Sequence, residues 1–201
     1  YSLYDVQRDS NGDIYIDQDG NITSARALEP IKLGSVFPKS NMSWRNDFSW
    51  RNFNFGFMLS ARLGGIVYSA TQAVLDRYGV SEASAVARDN GGVVVNGGDV
   101  VNAEKWFTAI GRNSGIPQYY TYGATNVRLQ EARLGYTFTK AQLRGITDVT
   151  VSLIGRNLWM IYNKAPFDPE SVATVGNYYQ GIDYFMMPNS RNVGFSVKIN
   201  F

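Results

Sequence analysis

The chain contains no cysteine and no histidine. These residues therefore supply no disulfide framework, no thiolate or imidazole zinc site, no cysteine nucleophile and no histidine general base. Charge is scarce as well: 18% of residues are Asp, Glu, Lys or Arg, where an average soluble domain has about 25%. The charges nearly balance, 19 Lys and Arg against 17 Asp and Glu for a net of +2. That provides neither the basic surface a nucleic-acid partner needs nor a polybasic patch for a membrane surface. Long apolar runs are missing too. Nothing approaches the roughly 20 apolar residues of a membrane helix, and Tyr1 to Asp5 is not a basic start leading into an apolar signal core.

Aromatics and glycine are plentiful instead: 13 Tyr, 11 Phe and 4 Trp make up 14% of 201 residues, beside 20 Gly. That mixture favours strands over helices. A membrane β-barrel would escape the helix test, because alternating strands average to an unremarkable mean hydropathy, here −0.22.

Alternation is clearest at the end of the chain, where Val193, Phe195, Val197, Ile199 and Phe201 interleave with Asn192, Gly194, Ser196, Lys198 and Asn200. A second strand runs through Val149, Val151, Leu153, Gly155, Asn157 and Trp159, against Thr150, Ser152, Ile154, Arg156 and Leu158, less cleanly at its far end. From Phe53 to Leu63 every odd position is apolar. Just before it, Met42, Trp44, Phe48 and Trp50 share a face with one polar residue, Asn46. A fifth strand lies between Asn126 and Thr139, with Ala132, Leu134, Tyr136 and Phe138 opposing Arg133, Gly135 and Thr137. Val127 and Leu129 have the opposite parity, which calls for either a β-bulge or a segment outside the half-buried zone.

The connections alternate in length. Trp50 to Phe53 and Lys140 to Asp148 are short, whereas Gly64 to Thr125 and Tyr162 to Arg191 run to about sixty and about thirty residues, lengths that are usually functional. Short turns at one end and long loops at the other are the pattern of an outer-membrane barrel. Trp44, Trp50, Phe53, Tyr136, Phe138, Trp159 and Phe201, near strand ends on the apolar face, suit its interfacial girdles. Alternation alone fits a soluble β-sandwich equally well; loop asymmetry and irregular strand spacing favour the barrel. The expected fold is all-β, about five C-terminal strands of a large antiparallel transmembrane barrel, since bacterial barrels close at about eight strands or more. Its expected parts are an extracellular loop region at 1–40, a hairpin at 41–66, a long extracellular loop at 67–123, a hairpin at 124–161, an extracellular loop at 162–190 and a terminal strand at 191–201.

Several stretches resemble the SusC/RagA-type TonB-dependent transporters. Leu129 to Phe138 (LQEARLGYTF) is similar to that family's LRL-x-x-x-x-LGYT strand, and Gly155-Arg156-Asn157-Leu158-Trp159 to its GxNLW/F strand. Asn163 to Glu170 resembles the following GxDPE loop and Gly194 to Phe201 the terminal strand. Upstream, Leu33-Gly34-Ser35 to Phe55, with Asn46-Asp47-Phe48-Ser49-Trp50-Arg51-Asn52-Phe53, is similar to the family's LGs-x-P…N-x-FSYKNF stretch. Each motif is short; their joint order is specific. Asp9-Ser10-Asn11-Gly12-Asp13-Ile14 departs from the family's D-x-N-G-D-G turn by lacking the second glycine, and it lacks EF-hand spacing. A solvated Asx-type turn and a calcium site on Asp9, Asn11 and Asp13 both stay open, as they do for Asp17, Asp19 and Asn21.

The resemblance implies a barrel of about twenty-two strands around an N-terminal plug, the plug being absent from this stretch. It implies a bacterial outer-membrane location, contact with outer-membrane lipid, an oligosaccharide or peptide cargo, a SusD-like surface lipoprotein as lid, and TonB acting through residues outside this chain. It implies no enzymatic activity and no cofactor.

Lumen-facing residues would be Arg45, Asp47, Asn54, Arg62, Arg133, Arg156 and Lys198, which would attract an anionic cargo or simply hydrogen-bond plug and water. Aromatic faces suit sugar rings and peptide side chains. Trp106, Tyr119, Tyr120 and Tyr122 in the first long loop, Tyr178, Tyr179 and Tyr184 in the second, and Arg156 are thus the candidate ligand-binding residues. The same aromatics would serve equally to pack the loops or hold the lid. Ala70 to Tyr78 predicts one short surface helix stopped by Gly79, and Val93 to Val95 a short hairpin element between glycine pairs. No phosphate-cradling motif is present. The competing function is an outer-membrane adhesin or surface ligand-binding protein that does not transport.

Overall fold

The computed structural model describes residues 1–145, 147–173, 176 and 180–200. They form two compact units. One gathers Tyr1–Val36, Ile66–Tyr122 and Val172–Met186; the other gathers Phe37–Gly65, Gly123–Ser171 and Met187–Phe201. In chain order the elements begin with strands β1 (Ser2–Val6), β2 (Ser24–Ile31), β3 (Ser40–Trp50), β4 (Phe53–Leu63) and β5 (Ile66–Ser69). Helices α1 (Ala70–Arg77) and α2 (Glu82–Asp89) come next, then β6 (Val93–Val95), β7 (Asp99–Val101), α3 (Ala103–Ile110) and α4 (Pro117–Tyr120). The remaining strands are β8 (Thr121–Gly123), β9 (Asn126–Phe138), β10 (Asp148–Asn163), β11 (Ile182–Asp183) and β12 (Asn192–Asn200).

The second unit is built on an antiparallel five-stranded sheet in the order β12-β10-β9-β4-β3. Its registers carry the alternation of the sequence into rows across the sheet. Trp50, Phe53, Tyr136, Val151 and Val197 form one row; Phe48, Phe55, Leu134, Leu153 and Phe195 form the next. Asn46, Phe57, Ala132, Gly155 and Val193 follow, then Trp44, Leu59, Leu129 and Trp159. Asn46 is the sole polar member. Most of these side chains are exposed, Trp50 68% and Phe195 80%, while Tyr136, Phe57, Leu59, Leu129 and Ala132 are half-buried. At one end an aromatic chain links Trp50 to Phe53 (6.4 Å), Phe53 to Tyr136 (4.9 Å) and Tyr136 to Phe138 (4.8 Å). Phe201 lies outside the described residues. Among the described residues the sheet is open, with β3 and β12 at its edges.

The parity break in β9 is a bulge. Met58 pairs with Glu131 but Leu59 with Leu129, so Gln130 is left over and Leu129 and Val127 return to the apolar face. Opposite it, β10 carries Asn157 and Leu158 between the pairs Arg156–Glu131 and Trp159–Leu129, with Asn157 in the left-handed region at φ 52°. This corrects the expected facing of those two residues. Asn157 turns to the polar side, and Leu158 joins Phe55, Ala132, Leu134, Leu153 and Val193 around Gly155 on the apolar side. A Cβ on Gly155 would stand 2.6 Å from Leu158 Cδ2, so the glycine makes room for the displaced leucine.

The first unit has a core of its own, gathered from Val6, Ile22, Ala73, Val95, Val101, Trp106, Phe107, Ile110, Ile116 and Tyr120. The stretches expected as loops at 1–40 and 67–123 thus supply a packed body. The helix expected at Ala70–Tyr78 is α1, capped by Ser69, whose side chain accepts from the Gln72 N–H, and stopped at Gly79 (φ +68°). Its Ala70, Ala73 and Asp76 are buried, so it is not a bare surface helix. The expected Val93–Val95 element is β6, paired with β7. α2, α3 and α4 were not expected. α3 is capped by Asn102, which accepts from the Glu104 and Lys105 N–H groups, and Ala103, Trp106, Phe107 and Ile110, at i, i+3, i+4 and i+7, face the core.

Candidate functional site

All the residues expected to face the lumen lie on the polar side of the sheet. Arg45, Met58, Glu131, Arg156 and Asn192 make one row, and Asp47, Gly56, Arg133, Ile154 and Gly194 the next. Asp47 accepts from Arg45 Nε at 2.9 Å and Arg133 Nη2 at 3.0 Å, while Arg156 Nε meets Glu131 Oε2 at 3.2 Å. Gly56 makes this possible: a Cβ there would stand 2.4 Å from Asp47 Oδ1. Three of the five expected cations, Arg45, Arg133 and Arg156, are thus ion-paired, to Asp47 and Glu131. Exposed pairs of this kind add little stability; what they provide is a wettable, internally matched surface.

Where the two bulges meet, that face carries a buried hub around Arg128, which is 2% exposed. Its Nη2 donates to Asp168 Oδ1 at 2.9 Å and lies 3.2 Å from Glu170 Oε2. Nη1 donates to Asn157 Oδ1 at 3.2 Å, and Nε to Asn126 Oδ1 at 3.4 Å. Asp168 also receives the Glu170 N–H at 3.0 Å and Asn189 Nδ2 at 3.0 Å. Asn157 Nδ2 donates to the carbonyls of Asn189 and Ser190 at 3.1 and 3.3 Å. Burial raises the Asp168 carboxyl, but the Glu170 N–H and the Arg128 guanidinium outweigh it and hold the group below its ordinary value. Arg128 and Glu131 were missed from sequence; both sit at the parity break, where facing is hardest to assign.

The structure gathers three of the candidate ligand-binding aromatics, Trp106, Tyr119 and Tyr120, into one packed core. Trp106 and Tyr120 belong to the core of the first unit, 8% and 1% exposed. Tyr119 packs edge-on against Trp106 at 5.6 Å, and Tyr122 is half-buried. Burial pushes the Tyr119 and Tyr120 hydroxyls up, Asp5 adding to the first and Asp76 to the second, so both stay neutral phenols. Tyr184 is exposed and edge-on to Phe185 at 5.3 Å. Tyr178 and Tyr179 lie outside the described residues.

Asp9 and Asp17 head two Asx turns of the same design. Asp9 Oδ1 accepts from the N–H groups of Asn11 (2.8 Å) and Asp13 (3.0 Å), and Asp17 Oδ1 from those of Asp19 (3.0 Å) and Asn21 (2.6 Å). Among the described residues no group of three or more acidic side chains is placed to hold a metal ion. The first unit also has a cleft of about 400 Å³ lined by Asn21, Thr23, Asn102, Lys105, Thr108 and Arg112 beside Ile22 and Ala109; of these the sequence had singled out only Asn21, in the second acidic turn.

No protein-family model matches the chain. Two curated proteins of Formosa agariphila do: TonB-dependent receptor P3, 25% identical over 210 residues, and TonB-dependent receptor P26, 26% identical over 207 residues. Each alignment covers 96% of this chain and 19% of the relative, so the chain spans about a fifth of their length. Among solved structures, the RagAB peptide importer in the "closed-closed" state superposes with a TM-score of 0.63, and the RagAB peptide transporter with 0.57. Both matches are at 17% identity and cover 100% of this chain and 23% of that one. The chain is similar along nearly its whole length to TonB-dependent receptors, as its motifs resembled, and it has the fold of a stretch of a RagAB chain. The names of these relatives are those of receptors and transporters, which are not enzymes.

Proposed function

We propose that the chain forms barrel wall and extracellular loops of an outer-membrane, TonB-dependent nutrient importer of the SusC/RagA type. The observation that carries this reading is the sheet's apolar face, which exposes large apolar side chains on every one of its five strands, from Trp44 and Trp50 on β3 to Phe195 and Val197 on β12. Soluble monomers rarely expose apolar patches beyond a few hundred Å², whereas acyl chains match such a surface. The ion-paired opposite face suits a watery lumen. Strands from outside this chain pair with the edges β3 and β12, since an open edge in lipid leaves backbone groups unsatisfied at several kcal/mol each.

In this reading the first unit is extracellular, a SusD-like lipoprotein closes over it, and TonB acts through residues outside this chain. The cargo is an oligosaccharide or a peptide, and Tyr184 and Arg156 are the candidate contacts still open to solvent. The test is uptake of labelled oligosaccharides and labelled peptides by the native cell, with the full-length gene intact, deleted, or intact in a strain without TonB. Uptake that needs both the gene and TonB supports the proposal. Binding at the cell surface with no uptake would replace it with the adhesin reading.

A further inference from the structure

The Arg128 hub is not explained by a need for stability. A buried ion pair is commonly no more stabilising than apolar residues of the same volume. What a guanidinium adds is direction, because its planar fork fixes the angle as well as the distance of each partner. Its partners here come from separate stretches: Asn126 on β9, Asn157 at the β10 bulge, and the Asp168–Glu170 turn beyond β10. Two of them reach a further one, since Asp168 and Asn157 both hold the Asn189–Ser190 approach to β12. Asp168 and Asn189 are the two flanks of the Val172–Met186 segment, and the 3.0 Å bond between them closes that span at the wall. Asn157 meets both sides from a left-handed backbone, a conformation that asparagine adopts more readily than most non-glycine residues.

We propose that Arg128 is a positioning residue for import: it clamps both flanks of the 164–190 connection to the sheet, so that this connection leaves and re-enters the wall at one fixed point. The clamp joins Arg128 on β9 to side chains in two of the stretches that resemble the transporter family, the Asn157 bulge and the Asp168–Glu170 turn, which meet only in the fold. It rests on the import reading for its uptake readout alone.

The test uses the full-length transporter in its parent form and as Arg128→Met, Arg128→Lys and Asn189→Ala. Amide hydrogen exchange is followed in peptides covering 164–173 and 186–192. A heat-shift gel reports whether the barrel is folded, and uptake is measured with the cargo the parent accepts. In Arg128→Met, exchange at both flanks should accelerate about tenfold or more, the factor expected for loss of one charge-assisted hydrogen bond. The heat shift should be unchanged and uptake reduced. Arg128→Lys, which keeps the charge without the fork, should fall between, and Asn189→Ala should release the 186–192 flank alone. Parent-like exchange in Arg128→Met overturns the clamp, and faster exchange with undiminished uptake overturns its role in import. Should Arg128→Met not fold, Asn189→Ala decides, because it leaves the Arg128–Asp168 pair intact: parent-like exchange at 186–192 there overturns the clamp. A parent protein that imports neither cargo class defeats the import reading instead, and the exchange data still judge the clamp.

Discussion

The two units treat apolar surface in opposite ways. In the sheet unit Trp44, Trp50, Phe55, Leu153 and Phe195 are uncovered while a guanidinium, Arg128, is almost wholly buried. In the loop unit Trp106, Phe107 and Ile110 are buried beside Tyr120, and the charged groups of its turns, Asp9, Asp13 and Asp19, are exposed. Both patterns follow from one rule, that apolar surface leaves water. The difference lies in what each unit has for a neighbour. The loop unit must find its apolar partners within the chain, whereas the sheet unit, on the import reading, finds them in lipid and keeps water for its other face.

The largest expected effect would break that comparison from the loop side. Trp106→Ala should cost the loop unit about 3–5 kcal/mol, the range for truncating a large core aromatic, seen as an early loss of near-ultraviolet dichroism on heating. On the import reading, the heat shift of the barrel should survive it. If the barrel signal disappears at the same temperature, the two units are not energetically separate and the loop unit's core is not its own.

Next in size is a pair on β12 that sets one face against the other. Phe195→Arg places a guanidinium beside Leu153, at the edge of the row that runs on through Leu134, Phe55 and Phe48, and on the import reading, near the bilayer midplane, that costs about 2–4 kcal/mol. Ser196→Arg, one residue on and on the polar face, should cost little. The measurement is the folded fraction after refolding into lipid vesicles across a urea series. Equal losses in both variants would mean that the apolar face does not meet lipid.

The two units also differ in how much of them was legible beforehand. β4 was read to its ends, Phe53 to Leu63, because strict alternation has a period of two and any slip shows at once. The same sensitivity exposed the β9 bulge through Val127 and Leu129. It failed at Asn157 and Leu158, where a non-glycine residue takes a positive φ with no mark in the sequence. The loop unit was mostly illegible, since its core joins residues as distant as Val6, Ala73 and Ile110, and no local period encodes such contacts. α3 is the exception: its apolar spacing was there to be read. For the candidate site, residue type pointed to aromatics, yet Trp106 and Tyr120 are as useful to a core as to a ligand. Short sequence resemblances marked Asn157, Asp168 and Glu170 separately, and only the fold brings them to Arg128.

A smaller effect sharpens the loop side. Asn102→Ala removes the side chain that accepts from the first N–H groups of α3, and loss of such a cap costs about 0.5–2 kcal/mol. Thermal unfolding of the loop unit should move down by a fraction of the Trp106→Ala shift. A shift as large as that of Trp106→Ala would mean that α3 is held by its cap and not by its buried face.

The smallest expected effect is a titration, and it belongs to the loop unit because that unit meets water on its outside. The Asp17 carboxyl is held below its ordinary value of 3.8, first by the Asn21 backbone N–H, then by the Asn21 side-chain amide and the Asp19 N–H. A carboxyl whose folded value is depressed contributes stability that is fully present above its unfolded value and is lost as pH falls through the folded one. The Asp17–Asn21 turn should therefore be indifferent to pH from neutrality down to about 4 and loosen only below that. The Asn21 amide resonance, followed by nitrogen-edited spectra down to about pH 2, should move upfield as its acceptor is protonated. In Asp17→Asn the same resonance should stay flat. An Asn21 amide that titrates near neutrality would show that the Asp17 carboxyl is not stabilised in its charged form by these N–H groups, and that the turn is held by something other than its own backbone.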